Sequence, residues 1–177
     1  MIERILAALI RFITAYRNLG LKPALQIIFY TFFKNFNHEK VFDTKKFGKI
    51  FWNTKKDWVI SHFYTPQVEI YSPSGDLNIK SIVDLGANIG VETKRFSVLY
   101  PQADILSVEV EKRNHQMLEK NLVDLTRAVP LRAAIWSKKA YLKIVSRSID
   151  SQSWSVHEVE HERDSDIVGL TFLDILK

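Results

Sequence analysis

The feature that most constrains this chain is a short apolar run, Ser81-Ile82-Val83-Asp84-Leu85, that ends in the glycine-punctuated turn Gly86-Ala87-Asn88-Ile89-Gly90. An apolar run of that length bounded by a turn has the pattern of a strand buried on both faces. Val91 to Tyr100 then predicts a helix, stopped by Pro101. Asp104 to Val108 reads as a second strand, Asn114 to Asp124 as a second helix and Val129 to Ile135 as a third strand. Strands and helices alternating at these lengths specify an α/β fold with a parallel sheet and right-handed crossovers. Further strands are expected over Tyr141 to Val145 and, from alternating apolar and polar residues, over Trp154 to Val159. Near the end, Thr171-Phe172-Leu173-Asp174 has the spacing of a capping box and opens another helix.

The N-terminal part has a different pattern. Ile2, Ile5, Leu6, Leu9, Phe12, Ile13 and Tyr16 recur at helical spacing, with charged residues largely on the other side, and Gly20 stands where a glycine commonly ends a helix. A second helix is predicted from Pro23 through Ile27 to Phe33. Asn37 to Lys56 is Lys-rich with scattered Phe and Trp, and reads as an irregular connector or short helices. Asp57 to Ile60 and Gln67 to Tyr71 look like short extended pieces before the turn signal Ser72-Pro73-Ser74-Gly75. The expected organisation is therefore an N-terminal helical extension and connector over residues 1–72 and an α/β domain over residues 73–177. The helix pair can pack on that domain, bind a partner or lie against a membrane surface.

At 177 residues the chain suits one domain with an extension better than two full domains. It has no cysteine, which removes disulfides, thiolate metal sites and a Cys nucleophile together, and fits a reducing cytoplasm. The longest charge-free N-terminal stretch, Pro23 to Phe33, is eleven residues, well short of the about 20 that span a bilayer. No transmembrane segment is expected, and Arg11 interrupts what would be the apolar core of a secretory signal. The net charge of +5 is uneven: residues 1–80 hold 12 Lys and Arg against 6 Asp and Glu. That balance suits a solvated basic face or an anionic surface. No aromatic pattern for base stacking accompanies it, so nucleic acid is not the expected partner.

The turn lies where a doubly wound fold places its ligand, at the carboxyl end of the first strand and the start of the first helix. Gly86 and Gly90 let the backbone turn sharply, and the loop amides and helix N-terminus are expected to face polar groups of a ligand. Glu109 ends the second strand, 19 positions after Gly90, close to the spacing of about 20 at which an acidic residue accepts both ribose hydroxyls in nucleotide-binding units. The loop then chooses the nucleotide. A dinucleotide site uses G-x-G-x-x-G, whereas here Asn88 occupies the middle glycine position. Asp84 would repel a pyrophosphate and suit the ammonium of an amino-acid moiety. These conditions together fit S-adenosyl-L-methionine.

The run from Ser81 to Lys177 resembles the FkbM family of S-adenosylmethionine-dependent methyltransferases. The similarity is carried by Val83 to Gly90, by Val108-Glu109-Val110-Glu111 with Leu118 to Leu122, by Leu131 to Trp136, and by Gly169 to Leu176. It implies an incomplete class I methyltransferase fold, a Rossmann-like three-layer sandwich with the N-terminal helical extension. It also implies a cofactor site formed by Asp84, Gly86, Ala87, Asn88, Gly90 and Glu109, and O-methylation of a sugar, glycan or small metabolite. Two departures stand out: Val110 replaces the proline that usually follows the acidic residue, and the strand expected after Leu176, with acceptor-side residues, is absent. The first strand is then expected to expose an unpaired apolar edge, as in a truncated product, a split gene or a fragment completed by a protein partner. The alternative to a methyltransferase is a non-catalytic cofactor-binding or protein-interaction module. No catalytic residue is assigned. His157 and His161, four apart among glutamates, suit a solvated charged stretch better than a metal site, and His115 reads as a surface residue.

Overall fold

Helices α1 (Ile2–Leu19) and α2 (Leu21–Phe32) are separated by one residue, Gly20, at φ 94°. The computed structural model describes residues 2–32, 39–53, 78–146 and 154–176, so the extended pieces and turn expected between Asp57 and Gly75 lie outside the described residues. Helix α2 begins two residues before Pro23, which therefore sits inside the first turn, where its missing N–H is no loss.

The stretch expected to be an irregular connector is instead a regular hairpin. Strands β1 (Glu39–Thr44) and β2 (Gly48–Asn53) pair antiparallel, with Phe42 opposite Ile50 and Lys40 opposite Trp52. Phe42, Ile50 and Trp52 are buried, and the rings of Phe42 and Trp52 lie 4.8 Å apart. Burying such side chains contributes about 1.5–3 kcal/mol each, which outweighs the loop-like composition of the surrounding lysines. The Thr44 hydroxyl closes the turn, donating to the carbonyl of Gly48 at 2.8 Å and accepting the Phe47 amide at 2.9 Å.

The central sheet follows the expected alternation closely. Strand β3 (Ser81–Leu85) leads through α3 (Val91–Leu99) to β4 (Asp104–Glu109), and α4 (Lys112–Leu122) leads on to β5 (Ala128–Arg132). The three strands are parallel in the order β3-β4-β5, with Asp84 level with Ser107 and Glu109 level with Arg132. Among the described residues, β3 pairs with β4 alone. The fold is mixed α/β and Rossmann-like in this half, a parallel sheet with crossover helices preceded by a helical extension.

Two apolar cores hold the layers together. Ile105, Leu118, Leu122 and Ala128 pack between the helices and the sheet. Leu19, Ile27, Phe42, Ile50 and Trp52 pack with Ile89, Val91 and Met117, so the N-terminal extension rests on the outer side of the loop and of α4.

The third strand breaks at Ala133 and resumes as β6 (Ala134–Ile135), which enters a second sheet. That sheet adds β7 (Ala140–Ser146), β8 (Trp154–Val159) and β9 (Ile167–Leu170) in the order β6-β9-β7-β8. β9 was not expected from sequence; its alternation of buried Ile167 and Gly169 is only four residues long. Helix α5 (Phe172–Ile175) opens with the expected capping box, Thr171 and Asp174 each bonding the other's backbone amide.

Candidate functional site

The carboxyl ends of β3 and β4 bring the two predicted acidic residues onto one loop. Glu109 is buried at the end of β4, and its Oε2 accepts the amide of Asn88 at 2.9 Å. Its Oε1 accepts the amide of Glu111 at 2.8 Å, and the Asn114 side chain hydrogen-bonds to the same carboxylate. Burial pushes the Glu109 carboxyl above the usual carboxylate range, and the neighbouring Glu111 adds to the rise. The two amides and Asn114 oppose it.

Asp84 is held by a hydroxyl chain. The Thr93 hydroxyl donates to Asp84 Oδ2 at 2.7 Å, and Ser107 lies 2.9 Å from Thr93. With the single Thr93 proton committed to Asp84, Ser107 is the donor in the second bond. Thr93 and Ser107 are fully buried, so β3, α3 and β4 are sewn together by polar groups inside an apolar layer. Burial raises the Asp84 carboxyl, the Thr93 bond opposes the rise, and the charge of Glu92 adds to it. Glu92 itself is paired with Arg95 at 2.9 Å.

The loop backbone explains its glycines. Gly86, Asn88 and Gly90 have φ of 78°, 52° and 86°, the left-handed region that glycine tolerates and asparagine adopts more readily than most residues. A Cβ on Gly90 would lie 2.7 Å from Leu118 Cδ1, so this glycine permits the loop to pack on α4. A Cβ on Gly86 would meet nothing within 4 Å, so that glycine faces open space. Ala87 and Ile89 are buried.

The loop amides do not point outward as expected. Those of Gly86 and Ala87 both donate to Val108 O at 2.9 Å, that of Asn88 donates to Glu109, that of Ile89 to the Asn88 side chain at 2.8 Å, and that of Gly90 to Ala87 O at 2.8 Å. For Ala87, Ile89 and Gly90 the reason is burial, since an unpaired donor there would cost about 1–3 kcal/mol.

Several residues that matter here carried no signal as isolated letters. Asn121 on α4 is buried; its Oδ1 accepts the Phe51 amide at 2.6 Å and its Nδ2 donates to Phe51 O at 2.9 Å and to Ile89 O at 2.7 Å. It thus clamps strand β2 against the glycine loop. Lys94 is buried as well, donating to Asp124 at 2.9 Å and to the carbonyl of Phe47 in the hairpin turn at 3.2 Å. Glu111 caps α4 by accepting the amides of Arg113 and Asn114 at 3.0 and 2.7 Å.

His115, expected on the surface, is largely covered, with a side chain only 12% exposed. Burial holds its imidazole below the usual histidine range, Arg132 contributes in the same sense, and Glu119 opposes. Its Nε2 and the Nε of Arg132 are buried and without a hydrogen-bond partner among the described residues. Arg132 ends β5 level with Glu109, which puts both orphaned nitrogens on the same end of the sheet as the loop. His157 and His161 are exposed, and His157 lies on a strand rather than a helix.

No protein-family model and no curated protein matches the chain. Among solved structures, a methyltransferase FkbM from Methylobacillus flagellatus KT is similar with a TM-score of 0.37 and 14% identity, over 78% of this chain and 36% of that one. The chain thus aligns with about a third of that protein's length.

Proposed function

We propose that this chain binds S-adenosylmethionine at the carboxyl end of its parallel sheet and belongs to an enzyme that methylates an oxygen of a sugar or small metabolite. The observation that carries this reading is the contact between Glu109 and the Asn88 amide, which brings a carboxylate and a glycine turn into one place. A phosphate-binding loop needs unspent amides, and here the five from Gly86 to Gly90 are all engaged within the protein. Carboxyls at Asp84, Glu92, Glu109 and Glu111 make this end of the sheet better suited to a cationic ligand than to a pyrophosphate.

The residues present fit such a cofactor. The open space at Gly86 admits a ligand close to the backbone, and Asp84 suits the ammonium of the methionine moiety. Glu109 already accepts three donors of the about four a carboxylate can take, which leaves one acceptor position for a ribose hydroxyl. The orphaned nitrogens of His115 and Arg132 provide polar partners for the remainder of the adenosyl group. When bound, the cofactor supplies an electrophilic methyl group, and the chain's contribution is chiefly to hold and orient it.

A second reading, a non-catalytic cofactor-binding module completed by a protein partner, is favoured by β3 pairing with β4 alone among the described residues. Calorimetry of the purified chain with adenosylmethionine, adenosylhomocysteine and NAD tests the cofactor reading. Binding of the first two without NAD supports it. Binding of NAD, or no binding by a folded and monodisperse sample, overturns it. Turnover on a panel of sugars separates enzyme from module.

A further inference from the structure

The helical extension buries only one side of each helix. On α1, Ala15 and Leu19 are buried, while Leu6, Leu9, Ile10, Ile13 and Tyr16, spaced three and four apart, are each 41–54% exposed. On α2, Pro23, Ala24 and Ile27 face inward, while Leu21 and Leu25, four apart, are 53–55% exposed. Seven large apolar side chains therefore form an outer face that no described element covers, where isolated exposed apolar residues would be unremarkable.

The charge around this face is predominantly positive, with Glu3 near the start of α1 the one acid on the two helices. From Arg4 to His38 the chain carries Arg4, Arg11, Arg17, Lys22 and Lys34 and no Asp or Glu. Arg11, Arg17 and Lys22 are exposed on the same two helices. Neither helix crosses a bilayer: among the described residues no helix is long and apolar enough to do so. A helix that cannot span, has a large exposed apolar side and is flanked mainly by cations has the character of an interfacial segment, its apolar side at the acyl boundary and its cations among the headgroups.

From these observations we infer that α1 and α2 dock the protein on an anionic lipid surface. A second copy of the chain is the less fitting occupant, because its apposed faces would bring two net-positive sets of side chains together. The inference stands apart from the methyltransferase reading, since it uses none of the residues at the glycine loop.

Flotation of the full chain with vesicles of phosphatidylcholine alone, or with about one-third phosphatidylglycerol, tests it. Binding to the anionic vesicles is expected to exceed that to the neutral ones by about tenfold and to weaken in high salt. Leu9→Glu with Ile13→Glu should abolish it, and Arg11→Glu with Arg17→Glu should lower it by about tenfold, the fold of each variant being checked by circular dichroism. The second pair keeps the test decisive if the first fails to fold. No binding, or equal binding to both vesicles, overturns the inference. A dimer by light scattering that Leu9→Glu converts to a monomer, without vesicle binding, assigns the face to self-association instead.

Discussion

The carboxylate of Glu109 accepts the backbone amide of Asn88 at 2.9 Å, joining the end of the second parallel strand to the turn after the first, 21 residues earlier in the chain. The group that fixes the turn is also the one proposed as the ribose acceptor.

Replacing Glu109 with Ala should therefore act twice. The buried amides of Asn88 and Glu111 lose their acceptor, each at a cost of about 1–3 kcal/mol, and affinity for adenosylhomocysteine should fall by a further amount of about 1–3 kcal/mol. Denaturant unfolding and calorimetry read the two separately. Full affinity in a destabilised variant would leave Glu109 as a purely structural group.

The two loop glycines should respond differently to alanine. Gly90→Ala places a methyl 2.7 Å from the buried Leu118 and keeps the left-handed strain, for a cost of about 2–5 kcal/mol. Gly86→Ala carries the strain alone, about 1–2 kcal/mol, but projects its methyl into the open space proposed for the ligand. The expected pattern is a large stability loss for the first and, for the second, a small stability loss with strongly reduced binding. Equal stability losses would contradict the packing role of Gly90.

Asn121→Ala should loosen the hairpin before it unfolds the sheet. The change strips partners from the Phe51 amide and carbonyl and from Ile89 O, about 1–3 kcal/mol for each group left unpaired. Hydrogen exchange at Phe51 should accelerate while that at Val108, in the middle layer, changes far less. Uniform acceleration would mean that the clamp is not local.

Stability should also depend on pH through Glu109. Its folded-state carboxyl is raised by burial, so the folded protein holds a proton that the unfolded chain has already released. Its contribution is complete below the ordinary glutamate value and is lost as pH rises through the raised folded value. Comparison with Glu109→Gln, which cannot ionise, isolates the effect: the wild-type protein should lose stability relative to the variant across that interval. A difference independent of pH would contradict the raised value.

Much of the central architecture was legible because it rests on local pattern. The apolar run Ser81–Leu85, the breaker Pro101 and the capping pair Thr171 and Asp174 mark their own elements, and the structure keeps them within about two residues. The hairpin was not legible, since Lys40, Lys45, Lys46 and Lys49 obscure the alternation of Phe42, Ile50 and Trp52. Nor was the covering of the His115 side chain, since a position near the start of a helix does not say what packs over it.

Periodicity and residue type alone determined which segments of this protein become parallel strands, where the glycine turn falls and which two acids stand at the strand ends. Only the folded chain decided where the loop amides go, that Asn121 joins residues 70 and 32 positions away, and which side of α1 stays uncovered. The physical reason is range. An element's type follows from the energetics of a few consecutive residues, whereas the partner of a buried donor is whichever acceptor distant segments bring within about 3 Å, and an isolated residue type carries no information about that distance.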